Sequence, residues 1–302
     1  MQLSPRKLAS ATIVSTFLAT MIAYPNAGYA ENCSNNGDIA VGGVVGFKDL
    51  ANPENTRLLR SSCRIRLYLH QYAWITAPPD IQRAILLNFQ GNGIPIMEIN
   101  KASNPETYFK NDFVKLFLSK GVKSTEIQVN GFQYDHPLLE WTEYVDAARR
   151  AGVSTVAPIF SPNSGQFRKG EFSSHVWDNV RAAATYGGGL TIDAPPDFFF
   201  SQGKDYQKFT MDEIRWAKAN RVRSAVIVSP GQSEENFLNL TKRFLQILRE
   251  QGAVPDEYIV ENYQPNPPPT YQNSLGNDNS TNSIVGVALW MTKYFGPAET
   301  HK

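Results

Sequence analysis

Eight short apolar runs are spaced along this chain, each stopping at a polar or aromatic residue, and a stretch of helical periodicity follows most of them. They occupy residues 66–70, 94–100, 125–130, 155–160, 189–193, 224–229, 257–261 and 284–290. Strands alternating with helical patterns imply βαβ units, and βαβ units imply a parallel sheet. Eight such units within about 230 residues match the size of one (β/α)₈ barrel, a fold that places its active site at the C-terminal ends of the strands. Residues 39–47 form another apolar run, with glycine at 42, 43 and 46. That run is either a ninth strand or the true first barrel strand.

The flanks suggest three sections. Residues 1–30 read as a signal peptide: Arg6 and Lys7 precede an apolar stretch, and Gly28-Tyr29-Ala30 has the small-x-small pattern of a cleavage site. The apolar stretch is short and polar for a membrane span, and no other window is long enough, so no span is expected in the mature chain. Residues 31–63 read as a lead-in, and residues 64–302 as the barrel domain with a C-terminal tail. The expected location is secreted or periplasmic. Cys33 and Cys63 are the only cysteines, and two cysteines in an exported chain most economically form one disulfide. The formal net charge of +1 gives no electrostatic reason to expect nucleic acid or an anionic membrane as partner. Oligomeric state is not readable.

The candidate chemistry lies where the runs stop. The run ending Ile259-Val260-Glu261 closes on a carboxylate, Glu98 falls near the end of the 94–100 run, and Asp193 ends the 189–193 run. A carboxylate in an apolar barrel mouth must be paired, protonated or functional, because burying an unpaired charge is costly. A structural Glu261 would be satisfied by an arginine or by backbone donors. Two carboxylates facing one cleft are the equipment of glycoside hydrolysis: one gives a proton to the leaving oxygen, and the other attacks the sugar carbon or activates water.

On three motifs the chain resembles the (β/α)₈ glycoside hydrolases. These are Val260-Glu261-Asn262 on the seventh run, Ala288-Leu289-Trp290 on the eighth and Gly189-Leu190-Thr191-Ile192-Asp193 on the fifth. The resemblance implies that Glu261 is the nucleophile and that Trp290 forms a floor under the reacting sugar. It also implies an acid/base Glu at the end of the fourth run. That place reads Pro158-Ile159-Phe160-Ser161-Pro162-Asn163, with no carboxylate. The proton donor is then Glu98 or Asp193, or there is none.

Aromatic residues make up 12% of the chain. Tyr72, Trp74, Phe160, Tyr263 and Trp290 sit near run ends, where rings stack on sugar faces. His70 and Asn130 end two runs and are candidates for reading hydroxyls. Four histidines without His-x-His or His-x-x-x-His spacing argue against a metal centre, and no cofactor motif is present. The expectation is a glycoside hydrolase acting on an oligo- or polysaccharide. The alternative is a catalytically inactive barrel that binds glycan or a protein partner.

Overall fold

A computed structural model describes residues 38–44, 46–131, 138–161, 174–230, 236–262 and 283–295. Eight strands close into one parallel barrel in sequence order: β1 (Ile39–Gly43), β2 (Ile65–His70), β3 (Ile96–Asn100), β4 (Glu126–Asn130), β5 (Thr155–Phe160), β6 (Gly189–Asp193), β7 (Arg223–Val228) and β8 (Glu257–Asn262). This is the (β/α)₈ architecture. Two expectations about its ends are corrected. The 39–47 run supplies the first barrel strand, bonded to both β2 and β8, so the barrel begins inside the section read as a lead-in. The 284–290 run is not a strand. It lies in the helix Ile284–Tyr294, whose Ser283 side chain accepts the Gly286 N–H at 2.9 Å and caps the first turn. With β1 occupying the place beside β8, no gap is left for a further strand. A short apolar run also fits a buried helix as well as a buried strand. Each strand after the first therefore sits one place later in the barrel than the count from residue 66 suggests.

Strand alternation sorts the side chains. On β2, Ile65, Leu67 and Leu69 pack outward against the helices, and Arg66, Tyr68 and His70 point inward. The outer layer is held by amphipathic helices. Phe237–Glu250 buries Phe237, Leu240, Phe244 and Leu248, and Trp141 in Leu138–Arg150 donates its indole N–H to Ala183 O at 2.8 Å. Packing is tightest at Gly187, where a Cβ would lie 1.9 Å from Val156 O.

Inside the barrel the layers differ in chemistry. At the N-terminal end Arg66 donates from Nε to Glu257 at 2.6 Å and from Nη2 to Glu126 at 2.9 Å. Arg223 lies 3.3 Å from Glu257 and 3.1 Å from Glu126. Burial pushes the Glu257 carboxyl up, while the two guanidiniums oppose that shift. Above this network Ala40, Ile96, Ala225, Ile227 and Ile259 pack around Tyr68 as an apolar inner core. Cys63, just before β2, is disulfide-bonded and is not a free thiol. Cys33, its expected partner, and the signal-peptide stretch lie outside the described residues.

Candidate active site

The inward positions at the C-terminal ends of the strands carry polar groups. Glu98 on β3 is the hub. Tyr68 on β2 donates its hydroxyl to Glu98 Oε2, and Asn130 on β4 donates Nδ2–H to Oε1 at 3.0 Å. His70 Nε2 lies 3.3 Å from the same Oε1. The tautomer follows from the backbone: Tyr72 N–H donates to His70 Nδ1 at 3.2 Å, which leaves the hydrogen on Nε2, facing Glu98. One contact places His70 as the cap of the helix Gln71–Thr76 and aims its other nitrogen at the carboxylate.

Gly42 on β1 makes room for this cluster. A Cβ there would meet Tyr68 O at 2.1 Å and Tyr68 Cβ at 2.9 Å. Glycine is required by space, because the Tyr68 backbone carbonyl occupies the place a side chain would take.

Glu261, on β8 beside Gly42 in register, has a different environment. It is buried, and among the described residues its Oε2 has no hydrogen-bond partner. Burial, followed by the nearby charges of Glu98 and Asp193, pushes its carboxyl well above the usual range. Asp193 ends β6. Part of its side chain reaches solvent, yet the group lies deep in the barrel mouth. Its carboxyl is raised to about 6, chiefly by burial and then by Glu98, against a hydrogen bond from Ser161. Tyr68 feels all three acids, its hydroxyl driven up by burial and by Glu98, Glu261 and Asp193. Three carboxyl groups from three strands thus share one site, and burial works against charge on two of them.

Two more inward side chains carry unpartnered buried atoms, Gln128 Nε2 on β4 and Thr191 Oγ1 on β6. Gln128 also accepts from Tyr68 at 3.2 Å through Oε1. Neither residue was singled out from the sequence. The signal was present: each lies two positions before a strand-end candidate, Asn130 or Asp193, so strict alternation turns it inward. Tyr68 stands in the same relation to His70. A hollow of about 500 Å³ opens at the C-terminal ends of β3 and β4, lined by Asn100, Lys101, Ser103, Asn130 and Gly131. Lys101 Nζ is 2.8 Å from Glu140 on its far side.

The structure brings together Glu98, Asp193, Glu261, His70 and Asn130, and it separates most of the expected aromatic lining from them. Phe160 points outward from β5, its ring 5.3 Å from that of Trp177 and 6.0 Å from that of Phe209, because it occupies an outward position of the alternation. Trp74 is fully buried and donates its indole N–H to Leu116 O at 2.9 Å, which makes it core. Trp290 rides on the helix Ile284–Tyr294, stacked on Tyr294 at 4.8 Å with Lys242 over its ring at 5.5 Å. It cannot be a sugar floor on an eighth strand, since that strand is the one carrying Glu261. Tyr72 is exposed on the first turn after β2. Tyr263 lies outside the described residues. The strand count also undoes the positional likeness to the hydrolases: Glu261 is on β8, and β4 ends in Asn130 without a carboxylate.

Among the described residues no cluster of three or more His, Cys, Asp or Glu side chains is arranged to hold a metal ion. Nor is any described helix long and apolar enough to cross a membrane.

No protein-family model matches the chain, and no curated protein does. Among solved structures it is similar to the carboxyl transferase domain from Rhizobium etli pyruvate carboxylase, with a TM-score of 0.48 and 8% identity over 76% of this chain and 40% of that one. The same domain with pyruvate and biocytin gives 0.46 and 9% over the same shares. The chain spans about two fifths of the length of these structures, 40% in each case. A likeness at this level carries no functional argument. The barrel assignment rests on the closed strand order itself.

Proposed function

We propose that the protein is a glycoside hydrolase that cleaves an oligo- or polysaccharide at the C-terminal mouth of its barrel. One observation carries this reading: three acidic side chains from β3, β6 and β8 share the mouth in contrasting environments. None has an arginine or lysine partner among the described residues. Glycoside hydrolysis needs one carboxyl that holds a proton and one that does not, and differing environments supply that split.

The environments assign the roles differently from the sequence. Glu261, held protonated by burial and by its acidic neighbours, is the proton donor to the glycosidic oxygen. As the C–O bond breaks, positive charge grows on the anomeric carbon. Glu98, fixed by Tyr68, Asn130 and His70, faces that carbon directly or through a water. If Glu98 attacks directly, water then cleaves the glycosyl ester and gives its proton to Glu261; if water attacks, Glu98 takes the water's proton and Glu261 is reprotonated from solvent. Asp193 is the third acid, with Ser161 beside it. The reading includes export and a Cys33–Cys63 disulfide.

The test is a screen of the mature protein against plant, microbial and chitin-type glycans, reading new reducing ends. Release that disappears in both Glu98→Gln and Glu261→Gln supports the proposal. Binding without release across the panel would replace it with a glycan-binding barrel.

A further inference from the structure

A second hollow lies far from the carboxylates, on the outside of the barrel towards its N-terminal face. It measures about 690 Å³ and runs between the helix Pro79–Asn88 and the turn around 118–123 that leads into β4. Its apolar lining includes Leu86, with Phe89 and Val122 buried beneath. Its rim is cationic on both walls: Arg83 stands on the helix, and Lys120 and Lys123 stand on the opposite turn. All three are exposed, and among the described residues none pairs with a carboxylate. Lys120 is held by the Trp74 ring, with Nζ 5.9 Å from its centroid. Leu87 and Ile94 border the hollow with their side chains open to solvent, 61% and 38% exposed.

From this arrangement we propose a binding site for a free fatty acid, with the acyl chain on the apolar lining and the carboxylate between the cations. The volume is in the range of small-molecule sites, about 300–1,000 Å³, which are mostly apolar with a few placed polar groups. The open apolar side chains of Leu87 and Ile94 beside Leu86 favour a hydrocarbon chain. Three cations with no acidic partner favour an anionic head, and charge-assisted hydrogen bonds to a carboxylate are the strong kind. The concave shape selects a single chain over a flat lipid surface. The site does not depend on the hydrolase reading.

The experiment is calorimetric titration with dodecanoate below its micelle concentration, with decanol and acetate as the chain-only and charge-only controls. The expected result is one site for dodecanoate, weaker binding of decanol and none of acetate. The doubly charge-reversed Lys120→Glu/Lys123→Glu variant should bind dodecanoate at least about tenfold more weakly, with decanol binding and thermal unfolding unchanged. Leu86→Arg, which fills the apolar lining, should abolish both. Absence of dodecanoate binding overturns the site, as does equal binding by the charge-reversed variant. Cosedimentation with phosphatidylglycerol vesicles in a protein that does not bind free dodecanoate would replace it with a membrane-facing surface.

Discussion

Tyr68 and Gly42 are neighbours on adjacent strands, and the missing side chain of Gly42 is what lets the Tyr68 backbone lie so close, its carbonyl oxygen 2.1 Å from where a Cβ would sit. The ring then reaches inward to Glu98. The geometry of the central carboxylate thus depends on a residue with no polar atom beyond its backbone.

Glu261→Gln should fold as well as the wild type or better, since among the described residues the buried Oε2 has no partner to lose. Turnover on natural glycosidic links should fall about 10²–10⁴-fold, the usual contribution of general acid assistance. Activated aryl glycosides need little proton donation, so their cleavage should survive in Glu261→Gln and vanish in Glu98→Gln. The reverse pattern in steady-state rates would exchange the two roles.

Stability should fall as pH rises between about 4 and 6. The sign follows from Asp193, whose folded carboxyl is raised from 3.8 to about 6. In that window the native state binds more protons than the unfolded chain, so unfolding free energy decreases with pH. Stability from this group is fully present below the lower value and lost through the upper one. Asp193→Asn should flatten the slope in urea titrations at several pH values. An unchanged slope would show that burial of Asp193 is relieved in solution.

Arg66→Met should destabilise the fold by about 3–5 kcal/mol, the cost of stranding buried partners of a broken ion network. The partners are Glu126 and Glu257, held at 2.9 and 2.6 Å. Urea denaturation measures this. Because burial already pushes Glu257 up, the loss should be smaller at low pH, where the stranded acids are neutral.

Intact mass of the non-reduced mature protein should show no free thiol and a Cys33–Cys63 peptide after digestion. Reduction should lower stability by about 3–4 kcal/mol if the link acts through the unfolded chain. Two free thiols at Cys33 and Cys63 would end that pairing.

The alternation of strand and helix was legible as a (β/α)₈ barrel, and Glu98, Asp193 and Glu261 were legible as mouth residues because each follows an apolar run. The two ends fared differently: the 284–290 run reads as a strand and is a helix, and the 39–47 run leaves open whether it is a ninth strand or the first. Residues 284–291 are apolar on every side because their helix is buried over most of its surface, with Gly286 and Trp290 only partly covered, and such a run looks like a buried strand. Residues 39–43, two-fifths glycine, read as a strand that is either a ninth or the first of the barrel, and the pairing with β2 and β8 selects the first. Rings misled at Trp74 and Phe160, since proximity to a strand end does not say which face a side chain takes. Counting by twos from His70, Asn130 and Asp193 would have found Tyr68, Gln128 and Thr191. The same count reaches Arg66 and Glu126, whose charges at inward positions are otherwise hard to rationalise.

The ion network of Arg66, Glu126, Glu257 and Arg223 has a consequence for traffic. It closes the barrel axis at one end with charge that is already matched, under a layer of packed apolar side chains. The axis is a blind alley. In the proposed hydrolase, whatever meets Glu98 and Glu261 arrives and departs through the same doorway, so the rate at which spent ligand clears that doorway sets a ceiling on how quickly the next can enter.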